Sequence, residues 1–174
     1  GWAGQENLID DMVGGASCAP VTDYFSYANR LLDVNGYSTI SNNRVVNGDF
    51  SNGSSNWTMT NGWAEINGKA DLWVNNLSGG IPTLYQCALD STKPHIVSFD
   101  AEINIGSVII QNGLTNFTID SSGSYSFIFP ADYHCLVFYT NDSICDLTID
   151  NIEAYEIDYN NSPNQDDTYG SCSE

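Results

Sequence analysis

From Arg44 onward, hydrophobic and polar residues alternate in short runs that are separated by turn residues. Neighbouring residues of a β-strand point to opposite faces of the sheet, so this alternation predicts strands with one buried face and an all-β sandwich or barrel. Asn-Gly dipeptides, which tolerate the positive φ angles of tight hairpins, begin at Asn35, Asn47, Asn52, Asn61, Asn67 and Asn112. We expect strands, enough for two packed sheets, at Arg44–Phe50, Trp57–Thr60, Gly62–Ile66, Lys69–Asn75, Thr83–Leu89, His95–Ile105, Ser107–Gln111, Asn116–Asp120, Tyr125–Phe129, Cys135–Thr140 and Asp146–Ile157.

The alternation also predicts which side chains face the core. In Lys69–Asn75 the apolar row leaves Trp73 on the outer face. In His95–Ile105 one apolar row consists of Val97, Phe99, Ala101, Ile103 and Ile105. In Tyr125–Phe129 the three aromatic residues form the core row. Both rows of Cys135–Thr140 are apolar, which predicts a central strand.

The two ends of the chain differ from this β-rich region. Residues 1–43 contain two short stretches of helical periodicity, the second a stripe of Tyr and Leu, and we expect a partly helical extension there. An amphipathic helix must bury its apolar face, either on its own domain or on a larger assembly, and the sequence leaves both open. Residues 44–157 form the predicted domain, and residues 158–174 are expected to be a flexible acidic tail.

The strongly acidic composition limits the partners that this protein can bind. Lys and Arg number 4 against 22 Asp and Glu, giving a formal net charge of −18. Such a charge repels nucleic-acid phosphates and anionic lipid headgroups, so we expect neither nucleic acid nor membrane insertion. The chain shows no run of 18 apolar residues, and its first residues lack the pattern of a signal peptide.

The five cysteines have no metal-finger spacing and are an odd number. The simplest interpretation is five free thiols. A bridge between Cys135 and Cys145, which flank a predicted turn, is the alternative.

Four segments resemble the jelly-roll carbohydrate-binding modules, a galactose-binding-like β-sandwich family. Val45–Trp57 (VVNGDFSNGSSNW) is similar to the family's opening, with its apolar pair, Asn-Gly-Asp-Phe, a turn and a Trp. Tyr85-Gln86 in mid-strand, His95–Ile103 (HIVSFDAEI) and the closing Leu147–Ile157 (LTIDNIEAYEI) follow in the family's order. The resemblance implies a jelly-roll of two antiparallel sheets, of the kind found in polysaccharide hydrolases and in bacteriophage tail- and capsid-associated proteins.

The resemblance also implies a candidate metal site. Asp49 and Asp150 fall where the family's first and last strands meet, and many members hold a structural Ca²⁺ there through carboxylate and backbone oxygens. The alternatives are an Asx turn at Asp49 and a loop cap at Asp150 ahead of Asn151. Ser51 stands where an additional acidic residue often follows the Phe.

Sugar recognition needs flat aromatic faces flanked by amide groups. We expect Trp73, for its outward position, and Trp63, which borders an Asn-Gly turn, to be glycan-binding residues together with Tyr139 and Gln111. Trp57 is expected in the core. Tyr85 is expected to face inward.

Catalytic patterns do not surround either histidine, His95 or His134, each of which we expect at a strand edge. Paired acidic residues such as Asp10 with Asp11 lie in segments expected to be exposed, where nothing would raise a carboxyl pKa for general acid catalysis. We therefore expect a non-enzymatic protein.

Three functional classes remain. The leading hypothesis is a virion structural protein, a phage capsid decoration or tail-associated component. It docks on other virion proteins by residues 1–43, forms a homo-oligomer and projects the sandwich outward from the virion surface, where it can meet cell-surface or mucus glycans. The alternative is an extracellular glycan-binding accessory module of a secreted enzyme or adhesin. A polysaccharide-degrading enzyme is the third.

Overall fold

The computed structural model describes residues 38–158. The helices expected within residues 1–43 and the tail expected at residues 158–174 therefore lie almost wholly outside the described residues. The described chain forms β1 Ser38–Thr39, β2 Thr58–Met59, β3 Trp63–Ile66, β4 Lys69–Val74, β5 Thr83–Gln86, β6 His95–Ile105, β7 Val108–Asn112, β8 Thr115–Ile119, β9 Gly123–Phe129, β10 Leu136–Tyr139 and β11 Cys145–Asp158.

Two compact units divide the chain. Ser41–Glu156 is one unit and holds most of the strands. The described part of the other consists of residues 38–40 and 157–158, where β1 pairs antiparallel with the last two residues of β11. No helix between residues 38 and 158 is long and apolar enough to cross a bilayer.

The larger unit contains two antiparallel sheets. Sheet A has the strand order β9-β6-β11-β4-β3, and sheet B has the order β2-β5-β10-β7-β8. β10 lies in the middle of sheet B, as its two apolar rows predicted. The predicted fold class, an all-β sandwich of two antiparallel sheets, is confirmed.

The core lies between the inner faces of these sheets. Phe99 of β6 and Phe138 of β10 meet edge to face with ring centroids 5.3 Å apart. Phe117 of β8 stacks on Phe127 of β9 at 4.3 Å and meets Phe129 at 5.3 Å. Offset and edge-to-face aromatic contacts of this kind stabilise beyond the area that they bury. They confirm the predicted core row of β9.

The strand prediction is wrong at Arg44–Phe50, which forms turns and irregular backbone. Left-handed backbone at Asn47 (φ 57°) and Phe50 (φ 51°) interrupts the extended conformation. The segment still lies along β11, since Arg44 N donates to Ala154 O at 2.7 Å and Ile152 N donates to Gly48 O at 3.0 Å. A Cβ at Gly48 would collide with the backbone carbonyl of Ile152, which explains the glycine of the Asn-Gly-Asp-Phe segment.

The cysteine prediction is also wrong. Cys87 and Cys135 form a disulfide. Cys145, which the alternative prediction paired with Cys135, is a buried free thiol. Cys87 follows the end of β5 and Cys135 precedes β10, and the pairing of Gln86 with Leu136 places the two cysteines opposite each other on adjacent strands. Spacing along the sequence could not reveal this pair, because 48 positions separate them.

A buried polar group lies at the start of β6. His95 is 2% exposed, and its Nε2 has no hydrogen-bond partner among the described residues. Its cross-strand neighbour Glu156 is 5% exposed and forms an ion pair with Arg44 at 2.8 Å. Burial is the main cause that lowers the pKa of His95, and the positive charge of Arg44 lowers it further. The Glu156 carboxylate, a hydrogen bond to the Lys93 backbone and the charge of Asp90 act in the opposite direction and do not cancel the effect of burial.

The Cys87–Cys135 bond should contribute to stability. It closes a loop over 48 positions, so Cys87→Ser is expected to lower the free energy of unfolding by about 2–4 kcal/mol. Urea unfolding followed by circular dichroism without reductant measures the difference. In the presence of a reductant and a chelator, wild type and Cys87→Ser should have the same free energy of unfolding. If the variant is still less stable there, the loss of stability comes from the changed side chain and not from the missing disulfide.

Acid should destabilise the fold through His95. Its folded pKa is below its ordinary value near 6.5, so the unfolded chain binds the proton more readily and stability falls as the pH decreases below about 6.5. The thermal midpoint of wild type should decrease from pH 7.5 to pH 5.5 more than that of His95→Gln. The exposed His134→Gln variant is the control and should follow wild type. Equal slopes for wild type and His95→Gln would contradict the assignment.

Candidate functional site

The outer face of sheet B carries two rows of uncharged side chains. Cross-strand pairing aligns the first row over all five strands and the second row over four. We call this surface the neutral face, and its residues are Thr58, Tyr85, Val137, Gln111, Asn116, Thr83, Tyr139, Ile109 and Thr118. None of the nine is acidic or basic, although the chain holds 22 Asp and Glu.

Two tyrosines lie near the centre of the neutral face. Tyr85 of β5 pairs with Val137, and Tyr139 of β10 pairs with Thr83, so the two tyrosines are diagonal neighbours on adjacent strands. Diagonal side chains on one face of a sheet lie about 7–8 Å apart at their backbones, which aromatic rings can span. Both tyrosines are half-buried. They form a pair of rings supported by the sheet beneath them.

The prediction that Tyr85 faces inward is wrong, and Gln86 shows why. The Gln86 side chain is the inward one, 7% exposed. Its Oε1 accepts from Val46 N at 2.8 Å, and its Nε2 donates to Val46 O at 2.9 Å and to Asn56 O at 3.2 Å. These bonds tie the irregular segment before β2 to sheet B. Since consecutive residues alternate, Tyr85 must then point outward.

Gln111 and Tyr139 lie together on the neutral face, as parts of adjacent strands β7 and β10. Gln111 pairs with Val137 on one side and Asn116 on the other. Its Nε2 donates to Gly113 O at 2.8 Å, which restrains the amide. Restrained amides and hydroxyls beside aromatic rings are the groups that orient polar ligands.

The two tryptophans of the predicted site are separated from these residues. Trp63 is 5% exposed and packs in the core opposite Leu72, so its expected surface position is wrong. The neighbouring Asn-Gly turn does not expose it, because the register of the β3–β4 hairpin places it on the inner face. Trp73 is 57% exposed, which confirms its outward position, but it belongs to the outer face of sheet A. The four predicted glycan-binding residues therefore do not form one site.

The outer face of sheet A is acidic. It carries Asp71, Asp100, Glu102, Asp146 and Asp150 around Lys69 and Trp73, and we call it the acidic face. Lys69 Nζ pairs with Glu102 Oε2 at 3.0 Å within a groove of about 270 Å³. Burial, followed by the charge of Asp146, raises the pKa of Asp71. Burial also raises the pKa of Asp150.

The oxygen atoms of Asp49 and Asp150 are poorly arranged to bind Ca²⁺. Asp49 Oδ1 accepts from Ser51 N at 3.1 Å and from Ser51 Oγ at 2.9 Å, which is the Asx turn expected as the alternative. These hydrogen bonds lower the pKa of Asp49. Asp150 Oδ1 accepts from Asn151 N at 2.8 Å. No cluster of three acidic side chains with adjacent oxygens occurs in residues 38–158, so these residues do not fit a cage of carboxylates. Calcium binding stays a prediction.

Comparisons with known proteins give structural neighbours only. No protein family matches the sequence, and no curated protein matches it. The enzymatically active domain of bacteriophage CBA120 tailspike protein 4 is 14% identical with a TM-score of 0.48 over 66% of this chain. This chain spans 21% of that tailspike chain.

Carbohydrate-binding modules are among the other neighbours. TmCBM61, solved with β-1,4-galactotriose, is 12% identical with a TM-score of 0.45, over 67% of this chain and 99% of that one. The CBM22-1 xylan-binding domain of Paenibacillus barcinonensis Xyn10C is 9% identical with a TM-score of 0.46, over 69% and 97%. The structural neighbours thus include carbohydrate-binding modules and a phage tailspike domain, consistent with the jelly-roll that the sequence resemblance predicted.

Proposed function

We propose that this chain is a non-enzymatic glycan-binding module and that it holds a neutral carbohydrate chain on the neutral face. The observation that carries the proposal is the composition of that face, where two tyrosines, an amide pair and several threonines are collected without any charged residue. Sugar rings present apolar C–H faces and uncharged hydroxyls, so they match aromatic rings flanked by amides and hydroxyls.

The dimensions of the neutral face favour an oligosaccharide over a single sugar. The first row crosses five strands, and four inter-strand spacings of about 4.8 Å give roughly 19 Å. The half-buried tyrosines keep their rings on a rigid support, so little conformational entropy is lost when a ligand binds. A charge of −18 disfavours sulfated or otherwise anionic chains. The ligand class is therefore a neutral polysaccharide.

The non-enzymatic part of the proposal rests on the same residues. None of the nine residues of the neutral face is a carboxylate or a histidine, which are the groups that serve glycoside hydrolysis as acid, base or nucleophile. His95 is buried and pairs across the strands of sheet A with Glu156, so it does not belong to this surface.

We also propose that the module belongs to a virion, where residues 1–43 dock on a capsid or tail protein and the sandwich projects outward. The strong acidity and the additional N-terminal segment support this part. When virus particles are sedimented by centrifugation, the full chain should be recovered with the particles. A chain lacking residues 1–43 should stay in the supernatant. A full chain that is monomeric in native mass spectrometry and has no affinity for any particle component would contradict the virion role and leave glycan binding open.

Substitutions of aromatic residues on the two outer faces test which face binds the glycan. Tyr85→Ala and Tyr139→Ala should each weaken binding to a neutral polysaccharide by roughly tenfold, which corresponds to about 1.4 kcal/mol. Trp73→Ala is the matched control, since it removes an exposed aromatic ring from the opposite sheet and should leave binding unchanged. Affinity electrophoresis in gels containing individual neutral polysaccharides, after a broad glycan array, provides the measurement.

Binding should also be insensitive to salt, because an uncharged interface has little Coulombic energy for ions to screen. Loss of binding in Trp73→Ala with full binding in both tyrosine variants would move the site to the acidic face. Failure of the wild type to bind any neutral glycan would overturn the proposal.

A further inference from the structure

A histidine and a disulfide meet where β5 ends and β10 begins. Cys87, His134 and Cys135 each offer one ligand atom, and these atoms all lie within 4.8 Å of one another. They form the one such group of potential metal ligands within residues 38–158. Neither the proposed glycan site nor the core uses His134, which is exposed.

The backbone around this group is held independently of the disulfide. Leu89 N donates to His134 O at 3.0 Å, and Asn112 Nδ2 donates to Cys135 O at 2.9 Å. β5 and β10 also pair through Gln86 and Leu136. Opening of the S–S bond therefore leaves both sulfur atoms and the imidazole on a fixed frame, near enough for one ion.

We propose that the reduced form of this protein binds one Zn²⁺ through the Cys87 and Cys135 thiolates and the His134 imidazole. A dithiol supplies two electrons and two protons and is itself oxidised to a disulfide, whereas a phosphine acts together with one water molecule and becomes the phosphine oxide. In both cases the S–S bond is replaced by two thiols. Zn²⁺ then displaces both thiol protons into solvent and takes a lone pair from the ring nitrogen. Zinc and the disulfide are thus alternative occupants of the same pair of sulfur atoms.

The ligand chemistry selects the ion. Two thiolates and an imidazole suit Zn²⁺, whereas hard cations such as Ca²⁺ and Mg²⁺ require oxygen. Tetrahedral zinc with bonds of about 2.0–2.3 Å places its ligand atoms roughly 3.3–3.8 Å apart, so small side-chain rotations bring the imidazole into range. Cys87 and His134 are exposed, which leaves the fourth position to water.

The remaining described cysteine does not compete for the ion. Cys145 is 1% exposed and its Sγ lies 3.6 Å from Ser107 O. Burial raises the pKa of the Cys145 thiol, which disfavours the thiolate that a metal needs.

The test titrates Co²⁺, a spectroscopic substitute for Zn²⁺, into the full chain with and without prior reduction. Reduced wild type should develop a thiolate-to-cobalt charge-transfer band that saturates at one equivalent and disappears when Zn²⁺ is added. Oxidised wild type should show no band. Because His134 is exposed, His134→Ala should keep the disulfide and the fold. After reduction this variant should bind Co²⁺ more weakly by about tenfold or more.

The control is the double variant Cys18→Ser, Cys172→Ser, which should retain the band after reduction. Circular dichroism of the reduced chain checks that it remains folded. The proposal is overturned if reduced wild type shows no band, if His134→Ala binds as tightly as wild type, or if the double variant loses the band. These results are independent of glycan binding, because none of the three ligands belongs to the neutral face.

Discussion

The packing of two sheets through alternate side chains decides almost everything else about this molecule. Along most of the length of the strands in sheets A and B, every second residue enters the hydrophobic core that contains Phe99, Phe117 and Phe138. The intervening residues form the two outer faces. Reversing the alternation of a single strand would expose core residues and bury polar ones. The chemistry of each face is therefore fixed by the same constraint that forms the core.

One consequence is a separation of charge between the two faces. Sheet A places Asp71, Asp100, Glu102, Asp146 and Asp150 on its outer face, whereas the nine outward residues of sheet B carry no charge. These five carboxylates share the outer face of sheet A, where they repel one another. The uncharged side is left with aromatic rings, hydroxyls and amides, which is why we place ligand binding there and not beside the more exposed Trp73.

Alternation was sufficient to predict most strands, the central place of β10 and the outward position of Trp73, because each depends only on neighbouring residues. The failures depend on contacts between distant parts of the chain. Tyr85 faces outward because Gln86 is bonded to Val46 and Asn56, and Trp63 is buried because of its register with Leu72. The Cys87–Cys135 pair depends on the adjacency of β5 and β10, which the sequence does not reveal. The neutral face itself could be recognised only after the strand order of sheet B was known.

The Cys87–Cys135 bond also fixes which side chains lie on the outer surface of sheet B. It joins two residues that lie opposite each other immediately after β5 and immediately before β10, the strands that carry Tyr85 and Tyr139. If β10 slipped by one position against β5, Phe138 would point to solvent and Tyr139 into the aromatic layer. The covalent link excludes such a misaligned state even while the hydrogen bonds between these short strands break and re-form, so the polarity of this surface does not depend on those bonds alone.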